Sequence, residues 1–122
     1  MNKNSCYAFY GSLRQGMYNH TRFGNFEFLF TEKLAGYKLY ALERYPIAVK
    51  TNEPSDIITI EVMRITHTQT ENEIHQLELN AGYYYDEVKV RGISVGIYLF
   101  HESGGYPRVL HGDWVKFWSE KN

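Results

Sequence analysis

Apolar positions along this chain fall in short blocks and alternating stretches, with little of the period that marks a helix. Residues 7–10 (Tyr-Ala-Phe-Tyr) form the first block, and its unbroken apolar and aromatic character predicts a buried strand. Tyr37–Leu42 and residues 47–49 follow as strand candidates, with Pro46 between them. Over Ile57–Ile65 the pattern alternates, with Ile58, Ile60 and Val62 on one face and Thr59, Glu61 and Met63 on the other. Residues 88–90 and 94–100 predict a hairpin that turns through Arg91-Gly92. Helical signals are few. Residues 18–30 carry a weak one, interrupted by Gly24. A better one begins at Thr70, where Thr70-Glu71-Asn72-Glu73 has the form of a capping box with Thr70 as the cap. Ile74 and Leu77 then share a face, and Asn80-Ala81-Gly82 predicts the stop. The expected fold class is α+β: a small, mixed, barrel-like β-sheet with a few short helices, in one domain over residues 1–122.

Composition narrows the partners. A chain of 122 residues with 43% hydrophobic content buries a core without staples. Its net charge of −1, with basic residues scattered rather than striped, argues against nucleic acid and against an acidic membrane surface. The lone Cys6 forms no internal disulfide and suits a reducing compartment. No apolar stretch approaches the length of a membrane span and no signal-peptide core is visible, so a cytoplasmic protein is expected. His20, His67, His75, His101 and His111 lack the spacing of metal ligands, and neither a metal nor a cofactor is expected. The 11 tyrosines imply many half-buried positions whose hydroxyls need partners, as in a barrel wall or a lined pocket.

Two segments carry candidate chemistry. The first is residues 6–14, where the apolar block ends abruptly in Tyr10-Gly11-Ser12-Leu13-Arg14. Gly11 permits a tight turn or a close approach, and a strand running into such a turn aims several backbone N–H groups one way, which suits an anion. A plain strand-to-loop junction is the alternative. The second is Glu78, on or beside the apolar face of the Thr70 helix and in its last turn. Burial and the negative helix end both raise the pKa of a carboxyl there, as a general acid/base near neutral pH requires. The alternative is a boundary glutamate reaching solvent. Tyr83-Tyr84-Tyr85 reads either as pocket lining or as a strand start, and Gly104-Gly105 as a loop tip or a cover for the pocket. Ser12 lacks the Gly-x-Ser-x-Gly elbow of a serine hydrolase. Asp113 and Trp114 read as structural, capping the C-terminal segment.

In order along the chain, Tyr10–Arg14, Gly36-Tyr37, Tyr45-Pro46, Leu77-Glu78, residues 97–100 and Gly112-Asp113-Trp114 resemble the γ-glutamylcyclotransferase-like (AIG2-like) family, nearest to its γ-glutamylamine cyclotransferases. The resemblance implies that family's small mixed barrel and an intramolecular aminolysis. The α-amino group of a γ-glutamyl amine or peptide attacks its own γ-carbonyl and releases 5-oxoproline. Tyr10, Gly11, Ser12 and Leu13 would then form the substrate loop, Glu78 the catalytic acid/base, and Tyr84 or Tyr85 the tyrosine expected a few residues later. Leu79 and Ile60 stand where the family usually has glycine. The alternative is therefore a non-catalytic module of the same fold that sequesters or senses a small anionic metabolite.

Overall fold

The apolar block near the start of the chain becomes β1 (Cys6–Phe9), the middle strand of the sheet, in a computed structural model that describes residues 2–121. After it come α1 (Tyr18–Phe23), β2 (Phe26–Ala35), β3 (Tyr37–Leu42), β4 (Tyr45–Lys50) and β5 (Ile57–Ile65). Then follow α2 (Thr68–Asn80), β6 (Tyr84–Val90), β7 (Ile93–Leu99) and α3 (Trp114–Lys121). Five strands form one mixed sheet in the order β2-β5-β1-β7-β6, and β3 pairs with β4 as a separate hairpin. β1 is antiparallel to β5 and parallel to β7. The hairpin is stitched to the end of β7, where the Phe100 N–H donates to the Ala48 carbonyl at 3.0 Å.

β1 is apolar throughout because both of its faces are covered. Strand geometry sends alternate side chains to opposite sides. Cys6, Ala8 and Tyr10 enter a core shared with Leu39 and Ala48 of the hairpin and with Ile58, Ile60 and Val62 of β5. Tyr7 and Phe9 enter a second core with Met63, Ile65 and Ile74 of α2. β5 is split between the same two cores, which explains why its sequence alternates in kind yet is almost wholly buried.

The structure departs from the sequence pattern at the end of one helix and at the start of another. The weak helical signal over residues 18–30 splits in two. Gly24 adopts φ 64°, a left-handed conformation that suits glycine, and Asn25 follows at φ 61°. Beyond this break Phe26 onward pairs with β5 as an edge strand, so sheet pairing overrides the local helical pattern. The second helix begins at Thr68, two residues before the expected cap. Thr70 lies inside the first turn, where its hydroxyl accepts from Asn25 Nδ2 at 2.9 Å instead of capping. The far end agrees with expectation. Gly82, at φ 100°, lets Tyr83 N–H return to the Glu78 carbonyl and Gly82 N–H to the Leu79 carbonyl, both at 3.1 Å, closing the helix as a Schellman motif. The Arg91-Gly92 turn takes positive φ at both residues, as a two-residue hairpin of this hand requires.

Candidate active site

The site forms where β1 leaves the sheet. The chain turns through Gly11-Ser12-Leu13, and the Arg14 N–H closes the turn on the Gly11 carbonyl at 3.0 Å. A Cβ on Gly11 would lie 2.7 Å from both Cγ and Cδ of Pro46. The glycine is therefore required by the close approach of β4. The Ser12 carbonyl accepts from the Asn19 and His20 amides at 3.0 and 3.2 Å, which ties α1 to the loop. Among the described residues, the amide N–H groups of Gly11, Ser12 and Leu13 meet no acceptor.

Arg14 turns away from this surface and clamps the loop from behind. Its Nε donates to Glu61 Oε2 and one terminal nitrogen to Asp113 Oδ1, both at 2.8 Å, while the Gln15 amide donates to Glu61 Oε1 at 2.8 Å. The Arg14 and Glu61 side chains are 7% and 8% exposed, so the pair is withdrawn from water and held by mutual hydrogen bonds. Partial burial works to raise the Asp113 carboxyl, but the Arg14 hydrogen bond and the Lys116 amide hold it below its usual range. Asp113 thereby also caps α3, whose first residue, Trp114, is fully buried.

Glu78 approaches the same surface from the last turn of α2. As a residue it is partly exposed, but its carboxyl group is buried, and burial alone pushes its pKa up to about 7. Among the described residues the carboxyl has no hydrogen bond and no ion pair. It lines a chamber of about 40 Å³ together with Ala8, the loop from Phe9 to Leu13, Tyr45, Pro46, Tyr83 and Tyr98. A second chamber of about 130 Å³ adjoins it, again with Glu78, Ser12, Tyr45 and Tyr83 in the wall.

The tyrosine hydroxyls around Glu78 are committed to the scaffold. Tyr10 donates to the Tyr98 carbonyl at 2.5 Å and accepts from the Ala48 amide at 3.2 Å. Tyr83 donates to the Pro46 carbonyl at 2.7 Å. Tyr98 shares a 2.9 Å hydrogen bond with Nδ1 of His75. Burial first, and the neighbouring Glu78 charge second, raise the Tyr83 and Tyr98 hydroxyls above their ordinary range. In Tyr10 burial again dominates, ahead of Tyr83 and Glu78. All three stay protonated at neutral pH. They shape the chamber and leave Glu78 as its one ionisable group near neutrality among the described lining residues.

Tyr10, Gly11, Ser12, Leu13 and Glu78 thus line one cavity. Tyr84 and Tyr85 do not. Tyr84 stacks on His101 with ring centroids 4.0 Å apart, and Tyr85 bonds Glu87 at 2.6 Å while its ring covers Gly96. The tyrosine in the wall is Tyr83, aimed there by the Schellman turn that folds its backbone onto Glu78. Tyr83 belongs to the Tyr83-Tyr84-Tyr85 run that the sequence offers as pocket lining, whereas Tyr45, Pro46 and Tyr98 are lining residues the sequence does not signal; the proximity of Tyr45-Pro46 to Tyr10-Gly11 arises only in three dimensions. Neither departure from the family pattern reaches the cavity: Leu79 is 40% exposed on the outer side of α2, and Ile60 is fully buried in the core under the hairpin. The Gly104-Gly105 segment lies beside β3, where the Pro107 carbonyl accepts from Ala41, and is not in the wall. No group of three or more His, Cys, Asp or Glu side chains among the described residues is placed to hold a metal ion. No helix among them is long and apolar enough to cross a membrane.

Comparison with known proteins gives a consistent picture. The family described as gamma-glutamyl cyclotransferase, AIG2-like, matches residues 7–116. Among solved structures, uncharacterized protein PH0828 from Pyrococcus horikoshii is 27% identical with a TM-score of 0.80, over 95% of this chain and 94% of that one. Protein ytfP from Escherichia coli is 28% identical with a TM-score of 0.71, over 92% of this chain and 97% of its own. Allophanate hydrolase from Kluyveromyces lactis shares the fold at 18% identity and a TM-score of 0.79, over 98% of this chain but 22% of that one. No protein of curated function matches the chain.

Proposed function

Because the chain belongs to the AIG2-like γ-glutamyl cyclotransferase family, we propose that it cyclises the γ-glutamyl part of a small amine or peptide conjugate, releasing 5-oxoproline and the free amine or amino acid. The observation that carries this reading is the unpaired, buried Glu78 carboxyl, which shares one chamber with the Gly11–Leu13 backbone.

The chemistry uses what the chamber offers. The nucleophile is tethered to the electrophile within the substrate, so the protein supplies none of its own and holds the chain in a near-attack conformer. The Glu78 carboxylate accepts a proton from the substrate α-ammonium. The freed amine attacks the γ-carbon and makes a tetrahedral oxyanion. Glu78 then returns the proton to the departing nitrogen and the C–N bond breaks. The Glu78 carboxylate takes the second proton from the ring nitrogen and passes it to the released amine, which leaves as an ammonium while the ring closes as the neutral lactam. A carboxyl with a pKa of about 7 is suited to both directions of this transfer at neutral pH. The free amides of Gly11, Ser12 and Leu13 supply donors for the oxyanion or for the α-carboxylate, and each donor on an oxyanion contributes about 3 kcal/mol. The committed tyrosine hydroxyls hold the walls still while the charge moves.

A panel of γ-glutamyl amines and peptides, read by mass spectrometry for 5-oxoproline, tests the reading. Release from at least one compound, abolished in Glu78→Gln with binding kept, supports it. Binding without any release in the wild type leaves a ligand-binding module of the same fold and overturns catalysis.

A further inference from the structure

Outside the two chambers the cavity opens into a broad basin of about 820 Å³. Ser12 and Tyr45 belong to the walls of all three spaces, and Leu77 to the last two, so the basin is the continuation of the site past Glu78. With the γ-glutamyl part against the loop amides of the inner chamber, the departing group lies on this side, past Glu78, which lines both chambers.

The basin has a distinct chemistry. Met17, Tyr45, Leu77 and Trp118 give it apolar and aromatic walls, and Arg22 and Arg44 give it two positive charges. No Asp or Glu lines it. Arg22 lies over the Phe23 ring at 5.0 Å, and neither guanidinium is in an ion pair among the described residues. Every other guanidinium in the described chain has a carboxylate partner: Arg14 with Glu61 and Asp113, Arg64 with Glu27, Arg91 with Glu32, Arg108 with Asp56. Arg22 and Arg44 are the two exceptions; one comes from α1 and the other from the β3–β4 turn, and both line this one basin. Both are exposed to solvent with their donors free among the described residues, and the planar fork of a guanidinium matches a carboxylate bidentately.

We propose that this basin selects the departing group: it takes an amino acid with an apolar or aromatic side chain, whose free carboxylate is held by Arg22 and Arg44. The substrates would then be γ-glutamyl amino acids in preference to γ-glutamyl amines, which have no carboxylate to offer, and least of all amines that carry a second positive charge. This assignment rests on the cyclotransferase reading of the same site.

A matched pair isolates the carboxylate. γ-Glutamyl-phenylalanine and γ-glutamyl-phenethylamine differ only by that group. Wild-type protein is expected to prefer the first by about tenfold or more in kcat/KM, the value of one charge-assisted contact. In the Arg22→Gln/Arg44→Gln double variant the ratio is expected to fall to near one, with Arg→Lys at both positions restoring part of it. The ratio is the readout, since partial misfolding or a general loss of turnover lowers both rates together and leaves it at the wild-type value. Equal rates for the two compounds in wild type, or a ratio untouched by the double variant, would overturn the inference while leaving the cyclotransferase reading intact. If neither compound releases 5-oxoproline, it is that reading which fails for this pair. Calorimetric affinities of the same two compounds then decide the basin, with equal affinity counting against it.

Discussion

Glu61 and Glu78 are both carboxylates withdrawn from water, and they are treated in opposite ways. Glu61 meets Arg14 and the Gln15 amide with both oxygens, and Arg14 reaches on to Asp113. Among the described residues Glu78 has neither a hydrogen bond nor an ion pair, and burial pushes its pKa up to about 7. Ion pairing at the first site makes the charge part of the scaffold, since a buried pair that is whole is tolerated and a broken one is not. Isolation at the second makes the charge conditional on pH and leaves its lone pairs for a ligand. One site holds the loop still, and the other does the proposed chemistry on it.

Breaking the isolated member has the largest effect. Glu78→Gln keeps shape and polarity but cannot carry a proton, and is expected to lower kcat by about 10²–10⁴-fold with little change in KM. Steady-state kinetics on any compound from the panel checks this. Breaking the paired member unfolds rather than inactivates. Arg14→Met leaves the Glu61 charge buried without its partner and is expected to cost about 3–5 kcal/mol in denaturant unfolding.

The pH dependence sharpens the contrast. The folded pKa of Glu78 lies above its unfolded value, so the native state binds the extra proton between about pH 4.5 and pH 7. Stability from this group is therefore present below the unfolded pKa and falls as pH rises toward 7. The shift corresponds to about 3 kcal/mol at most. Glu78→Gln, which never ionises, is expected to match wild type near pH 4.5 and to be more stable above about pH 7, a gain in stability opposite to its loss of activity. Chemical denaturation of both proteins across pH measures it. A smaller effect comes from Gly11→Ala, whose methyl meets Pro46 and is expected to cost about 1–3 kcal/mol by overpacking. Leu79→Gly, on the exposed side of α2, should cost about 1 kcal/mol of helix stability with turnover unchanged, which tests whether Leu79 bears on the carboxyl beside it.

Much of the scaffold was legible because its signals are local. β3 and β5 are bounded by their own alternation, the β6–β7 turn by Arg91-Gly92, and the end of α2 by Gly82. Glu78 stood out for the same reason, a carboxyl on an apolar face one turn before a helix stop. β2 was hidden because Tyr18 through Phe30 satisfies a helical pattern locally, and only pairing with β5 makes Phe26 onward a strand. Thr70 offered a capping box, yet its hydroxyl found Asn25, a partner 45 residues away. The cavity walls were the least legible part. Tyr98 arrives through the parallel pairing of β1 with β7, Pro46 through the hairpin, and Tyr83 through a backbone reversal that turns it toward Glu78 instead of leaving that place to Tyr84 or Tyr85. Gly11 marks the loop in the sequence, but the reason it is glycine, the Pro46 ring, is visible only in the fold.

The claim on which the rest depends is that Glu78 is isolated and poised near neutrality. Side-chain carboxyl ¹³C chemical shifts, followed through a pH titration of the protein labelled at glutamate, read it without any substrate. Glu78 is identified as the resonance missing from Glu78→Gln. The account predicts a midpoint of about 7 for that resonance. A midpoint in the ordinary glutamate range, about 4.3, would contradict it.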